Sequence, residues 1–264
     1  MTMISKEGLV RDLRALGVTA GMKLQVHSSM SRIGWVDGGA DTVLDALMTV
    51  LTPEGTLMLP SFNHGGAYAD GGCFDVASTP TSNGKIPDAF WRRADVCRGV
   101  NPTHPFAAWG KNAAYYVTHD QEAPTMGADS PLDRLMRDGG YVLLLGVGYI
   151  SNTFHHLVEV GIGAPCLAPC GEVYPVRSYG GHACLAHTWS WRGGVCPVNG
   201  KPEPLYADAM RAVERRGRIG GAESMLFPMR EAYTVIARTL EPYCKACAIR
   251  PRSCEYTWNA SSGK

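Results

Sequence analysis

The sequence is short of the features that mark a membrane-bound, secreted or nucleic-acid-binding chain. No apolar run is long enough to span a bilayer. The opening MTMISKEGL is polar and lacks the apolar centre of a signal peptide, so a cytoplasmic chain is expected. Formal net charge is +1, from 25 Lys and Arg against 24 Asp and Glu, and no basic stripe stands out. That argues against nucleic acid or a membrane surface as partner. Nine cysteines are many for the cytoplasm, but an odd number argues against a complete disulfide framework. Linkers, internal repeats and low-complexity segments are missing too. With 264 residues, 45% of them hydrophobic, one domain over residues 1–264 is expected, with a cysteine-containing tail from about residue 241.

What is present is an alternation of strand and helix signals. A helix is expected over residues 5–16, ended by Gly17, then a strand over 23–27 and a polar loop, Ser28 to Ser31. A helix follows from Asp41 or Thr42 to about Leu51, and a strand over 56–60. Residues 61–85, rich in Gly, Ser, Thr and Asn, read as a long loop. Helices are expected over 87–93 and 112–119, and after Ser130-Pro131, where a serine cap precedes a proline at the first helical position. Past residue 160, strands are expected over 172–178, 187–191 and 218–225, and helices over 206–216 and 227–240. Strands separated by helices give an α/β fold with a central mixed sheet flanked by helices. The spacing after residue 170 suggests antiparallel strands at one edge.

Residues 141–159, YVLLLGVGYISNTFHHLVE, are the stretch around which the rest is arranged. The run from Val142 to Val147 suits a buried strand. Gly146 and Gly148 allow a tight turn, and Ser151, Asn152 and Thr153 are all good helix caps. His155 and His156 stand four and three residues before Glu159, so either shares a helix face with the carboxylate. A buried strand that delivers a polar helix start is where an α/β protein puts chemistry. The alternative is a capped helix with two satisfied histidines.

Three stretches together resemble the aminoglycoside 3-N-acetyltransferase family. They are Val26-His27-Ser28-Ser29-Met30-Ser31 with Gly34 to Ala40; Asn101-Pro102-Thr103-His104-Pro105 leading to Trp109-Gly110; and Leu144 to Gly148 with Ser151-Asn152-Thr153, His156 and Glu159. The likeness runs from about residue 5 to about residue 240. It implies the family's antibiotic N-acetyltransferase fold and direct acetyl transfer from acetyl-CoA to an amine, most simply the 3-amino group of an aminoglycoside, hence antibiotic resistance. A protonated amine must lose a proton to attack, and histidine is the natural base near neutral pH. His156 takes the family position, with Glu159 to orient or stabilise its ring. Thr103, Thr153 or loop N–H groups are candidates to meet the charge on the thioester oxygen. The resemblance puts the pantetheine and phosphates of CoA against His27, Ser28, Ser29, Met30 and Ser31, with Thr153 beside them. His104 either lines the site or is a core histidine. Acyl-CoA and a small amine are the expected partners of a monomer or homodimer.

Two features depart from the family. The segment from Trp189 to Pro204 carries one acid, Glu203, and two bases, where relatives that bind polycations have an acidic insertion. Asp70, Asp75 and Asp129 are other sources of negative charge. A less charged amine or another acyl-CoA therefore stays open, as does a non-catalytic relative that binds a ligand or zinc. A hydrolase using Ser151 lacks the G-x-S-x-G elbow. The second departure is Cys244-x2-Cys247 followed by Cys254, which reads as three zinc thiolates. A fourth ligand would come from Cys166, Cys170, Cys184, Cys196, His182 or His187; otherwise these are free thiols.

Overall fold

A computed structural model describes residues 3–63, 73–118, 125–190, 196 and 203–250. The strands are β1 (Lys23–Ser28), β2 (Thr56–Pro60), β3 (Phe74–Asp75), β4 (Cys97–Arg98), β5 (Phe106–Gly110), β6 (Tyr141–Leu145), β7 (Ala168–Arg177), β8 (Ala183–Ser190), β9 (Arg215–Ile219) and β10 (Ala222–Pro228). The helices are α1 (Lys6–Leu16), α2 (Met30–Ile33), α3 (Gly39–Leu51), α4 (Lys85–Trp91), α5 (Ala113–Val117), α6 (Pro131–Arg137), α7 (Phe154–Gly161) and α8 (Met229–Lys245). Seven strands form a central mixed sheet in the order β4-β5-β2-β1-β6-β10-β9. A smaller sheet has the order β3-β7-β8. Among the described residues no helix is long and apolar enough to cross a membrane.

The alternation of side chains along β6 builds the layers. Val142 and Leu144 face one core with residues of α5, α6, α7 and α8. Leu143 and Leu145 face the other, with α1, α3 and α4. A strand buried on both faces reads as a continuous apolar run, which is why its sequence has no polar alternation. The helix ends follow their caps. The Ser5 side chain accepts from the Gly8 N–H at 3.2 Å, and Gly17 closes α1 at φ 109°. Ser130 accepts from the Asp133 N–H with Pro131 behind it.

β1 pairs in parallel with β2 on one side and with β6 on the other. The chain leaves β1 through α3 to β2, while β6 arrives from elsewhere. The loops at the C-terminal ends of β1 and β6 therefore part and leave a crevice, the usual ligand position in an open α/β sheet.

The structure corrects several expectations. The strands expected over 172–178 and 187–191 lie outside the central sheet and form the small sheet with β3, which lies within the expected loop, while β9 and β10 supply the expected antiparallel edge. The other edge of the central sheet is antiparallel too, through β5 and β4. The helix expected over 206–216 is reduced to a 3-10 turn, Ala209–Ala212. Tyr206 and Met210 supply buried anchors, but the next residues are taken up by the ladder of β9 against β10. A short helix, α2, forms within the polar loop after β1, and α8 continues past residue 241 to Lys245.

Arg98 ties the two sheets together. Its guanidinium donates to the carbonyls of Val76 (3.3 Å), Thr79 (2.6 Å) and Ser61 (3.0 Å). It is stacked 4.3 Å from the Trp91 ring and 4.9 Å from Phe74. Burial pulls its pKa down to about 10, so it stays charged near neutral pH.

Candidate active site

A cavity of about 300 Å³ opens at the ends of β1 and β6, lined by His27, Ser28, His104, Asn152, Thr153 and His156 among others. Gly146, at φ 72°, lets the chain turn sharply out of β6, and its backbone lies too close to Arg32 and Ala222 for a side chain. The chain then makes a 3-10 turn, Tyr149–Ser151, and enters α7. Of the three potential caps, Asn152 provides the bond: its Oδ1 accepts from the Phe154 N–H at 3.2 Å.

The two histidines of α7 divide. His156 Nδ1 lies 2.7 Å from Glu159 Oε2, and the ring reaches the cavity. Glu159 is 1% exposed. His155 is buried on the other side, with Nδ1 3.0 Å from the Tyr206 hydroxyl and Nε2 4.0 Å from Glu159. His155 is thus the satisfied core histidine and His156 the one with access to the cavity. A carboxylate on Nδ1 fixes the tautomer that leaves Nε2 as the proton acceptor.

His27 locks the floor. Its Nε2 accepts the Thr153 N–H at 3.1 Å and lies 2.6 Å from Gln25 Nε2. Burial first, and then His156, push its pKa down to about 3. In the unfolded chain it titrates near 6.5. Between those values the unfolded state takes up a proton that the folded state refuses. The stability this group supplies is therefore intact above pH 6.5 and falls as the pH drops toward 3, by about 1.4 kcal/mol per unit. His27→Gln, which keeps an acceptor but does not titrate, is expected to remove about 2 kcal/mol of the stability loss between pH 6.5 and 5, read from urea midpoints.

The predicted site residues are only partly brought together. His27, Ser28, Thr153 and His156 line one cavity. Ser29, Met30 and Ser31 are not among its lining residues: the Ser29 N–H donates to Leu145 O, its hydroxyl is 3.2 Å from that of Ser31, and Met30 starts α2 packed against the core. Thr103 stands behind His104, its Oγ1 3.0 Å from the ring Nδ1 and 3.2 Å from Asn101 Oδ1, and it is His104 that faces the cavity. Cys244 and Cys247 lie at the end of α8, whereas Cys254 is outside the described residues. Sequence reasoning missed Asn152 as a site residue. Ser28 Oγ is buried without a hydrogen-bond partner, Asn152 Nδ2 is buried with only the Tyr206 hydroxyl near it, and both residues line the cavity. The cap preference at position 152 was the available signal.

A second cavity, about 490 Å³, shares Val147 with the first and carries Arg32, Arg216 and Arg218. Of the acids available for a cationic acceptor, Asp75 is bonded to Arg177 at 3.1 Å and Asp129 is paired with Arg137. Asp70 lies outside the described residues. The Glu203 carboxylate sits over Gly148, where a Cβ would stand 3.4 Å from Oε1.

A family model described as aminoglycoside 3-N-acetyltransferase matches residues 25–241. The SPbeta prophage-derived aminoglycoside N(3')-acetyltransferase-like protein YokD of Bacillus subtilis is 35% identical over 178 residues. That match covers 60% of this chain and 65% of YokD, just under two thirds of its length. Aminoglycoside N(3)-acetyltransferase VII of Streptomyces paromomycinus is 31% identical over 255 residues, covering 86% of this chain and 88% of that protein. A mutant of aminoglycoside acetyltransferase AAC(3)-IVa in complex with a gentamicin superposes with a TM-score of 0.78 at 28% identity, over 92% of this chain and 90% of its own. AAC-IIIb in a binary complex with CoASH gives 0.78 at 24% identity over 92% and 98%, a likeness of fold alone. The family match across the site, together with the relative aligned over most of both chains, makes this chain an acyltransferase that belongs to the aminoglycoside 3-N-acetyltransferase family.

Proposed function

We propose that this chain transfers the acetyl group of acetyl-CoA to the 3-amino group of an aminoglycoside, with His156 as general base. The observation that carries the reading is the His156–Glu159 bond: a cavity-facing imidazole held through Nδ1 by a buried carboxylate. The acceptor nitrogen attacks the thioester carbon while its proton passes to His156 Nε2. The N–C bond forms, the C–S bond breaks, and the proton returns to the departing thiolate of CoA. Glu159 stabilises the imidazolium formed on the way.

The oxygen of the attacked carbonyl gains negative charge and needs donors already in place. Among the described residues Ser28 Oγ is buried on the cavity wall without a partner, and Asn152 Nδ2 beside it makes no hydrogen bond beyond its approach to the Tyr206 hydroxyl, so these two take this role in preference to Thr103, whose hydroxyl is engaged with Asn101 and His104. The arginine-bearing cavity beyond Val147 offers positive charge for the phosphates of CoA.

Thiol release from acetyl-CoA across aminoglycosides with and without a free 3-amino group tests the reading. Release confined to the 3-amino compounds is expected. Silence across the panel, with CoA still bound, would overturn the acceptor. A less charged amine is the second reading, favoured because Asp75 and Asp129 are paired with arginines.

A further inference from the structure

Behind Glu159, on the side away from the substrate cavity, lies a separate and mostly apolar pocket of about 300 Å³. Four cysteines line it: Cys166, Cys196, Cys244 and Cys247. They come from three parts of the chain. Cys166 follows the turn after α7, Cys196 is a half-buried residue between β8 and the 3-10 turn, and Cys244 and Cys247 straddle the end of α8. The Cys247 N–H donates to Cys244 O at 3.1 Å, so the C-x-x-C pair is wound into a tight turn that presents both sulfurs to one side. Cys244 is 7% exposed and Cys166 5%. Acyl transfer at His156 uses none of them.

We propose that Cys166, Cys196, Cys244 and Cys247 are the four thiolate ligands of a structural zinc ion that pins the end of α8 and the Cys196 segment behind the catalytic helix. A donor set of four thiols is that of a structural zinc, whereas catalytic zinc keeps a position for water or substrate. A C-x-x-C turn is the usual half of such a site, and the fold supplies the other half from Cys166 and Cys196. On zinc binding each thiol gives up its proton to solvent as the metal–sulfur bond forms.

Among the described residues, His155, His156 and Glu159 are the one group of potential ligands whose donor atoms lie within 4.8 Å of one another. The sulfurs therefore stand wider apart than the roughly 3.8 Å between thiolates in a tetrahedral zinc site. One rotamer change moves a cysteine sulfur by roughly 3 Å, and the pocket leaves room for it. The proposal replaces Cys254 of the sequence reading by Cys166 and Cys196.

Zinc content of the full chain, purified without chelator, tests this directly. One zinc per chain is expected. Cys166→Ser, Cys196→Ser and the double Cys244→Ser, Cys247→Ser variant are each expected to fall below about a tenth of that content, while Cys97→Ser and Cys254→Ser keep it. Zinc missing from the wild type, kept by the Cys166 and Cys196 variants, or lost with Cys254, overturns the assignment. Should the variants fail to fold, cobalt exchanged into the wild-type protein decides: sulfur-to-cobalt charge-transfer bands and the intense visible bands of a tetrahedral four-sulfur site support it, and octahedral or sulfur-free spectra refute it. None of these readouts depends on transferase activity, so the zinc site and the acetyl-transfer reading stand or fall separately.

Discussion

Replacing His156 by alanine is expected to slow acetyl transfer by about 10²- to 10⁴-fold, the range typical of a lost general base, while CoA affinity stays near that of the wild type. The expectation follows from the division of labour in α7. His156 reaches the cavity and is tied to Glu159 at 2.7 Å, whereas His155 is turned inward toward Tyr206. The fold does not suffer greatly, because the ring is one of the less buried members of the helix, with 23% of the side chain exposed. His155→Ala would empty a packed site next to Tyr206 and should read out mainly as lower stability. A steady-state rate with CoA binding measured in parallel separates the two. A His156→Ala enzyme with normal turnover would remove the base assignment, and loss of CoA binding together with activity would point to a structural role.

The largest expected loss of stability comes from Arg98→Met. Methionine fills much of the same space but leaves the carbonyls of Ser61, Val76 and Thr79 without their donor. Hydrogen bonds from a charged donor contribute about 1.5–3 kcal/mol each, and a stranded buried acceptor costs about 1–3 kcal/mol. Even with partial compensation by water, a loss of about 3 kcal/mol or more is expected in urea unfolding at unchanged m. The stacking on Trp91 and Phe74 disappears with the guanidinium. A change below about 0.5 kcal/mol, the size of an ordinary surface substitution, would show that the three carbonyls are met by solvent.

The parts of the fold legible in the sequence are those in which local chemistry and tertiary position agree. β6 reads as a strand because both faces are buried, and α1 and α6 are bounded by the caps their sequences advertise. The segment from Tyr206 misleads because its two anchors at helical spacing are real, while the pairing of Arg215 onward with β10 is not local information. The site shows the same split. Spacing alone gives His155 and His156 nearly equal claims on Glu159, and what separates them is Tyr206, which is remote in the chain. Thr103 and His104 are neighbours, and only the course of the chain after Asn101 decides which one faces the cavity. Cys166 and Cys196 share a pocket with the C-x-x-C turn through contacts no spacing rule contains.

The bond from the Thr153 N–H to His27 Nε2 joins the ends of two strands, β1 and β6, that are far apart in sequence. Closing so long a loop is entropically slow, and parallel pairing cannot begin from a hairpin. During synthesis, β1 and α3 emerge from the ribosome well before β6, and α8, which packs against α7, emerges last. The substrate cavity is therefore a late product of folding. After dilution from denaturant, recovery of transfer activity should trail the return of helical signal. A nascent chain stalled before α8 would carry every residue of the proposed catalytic pair and still lack a working enzyme.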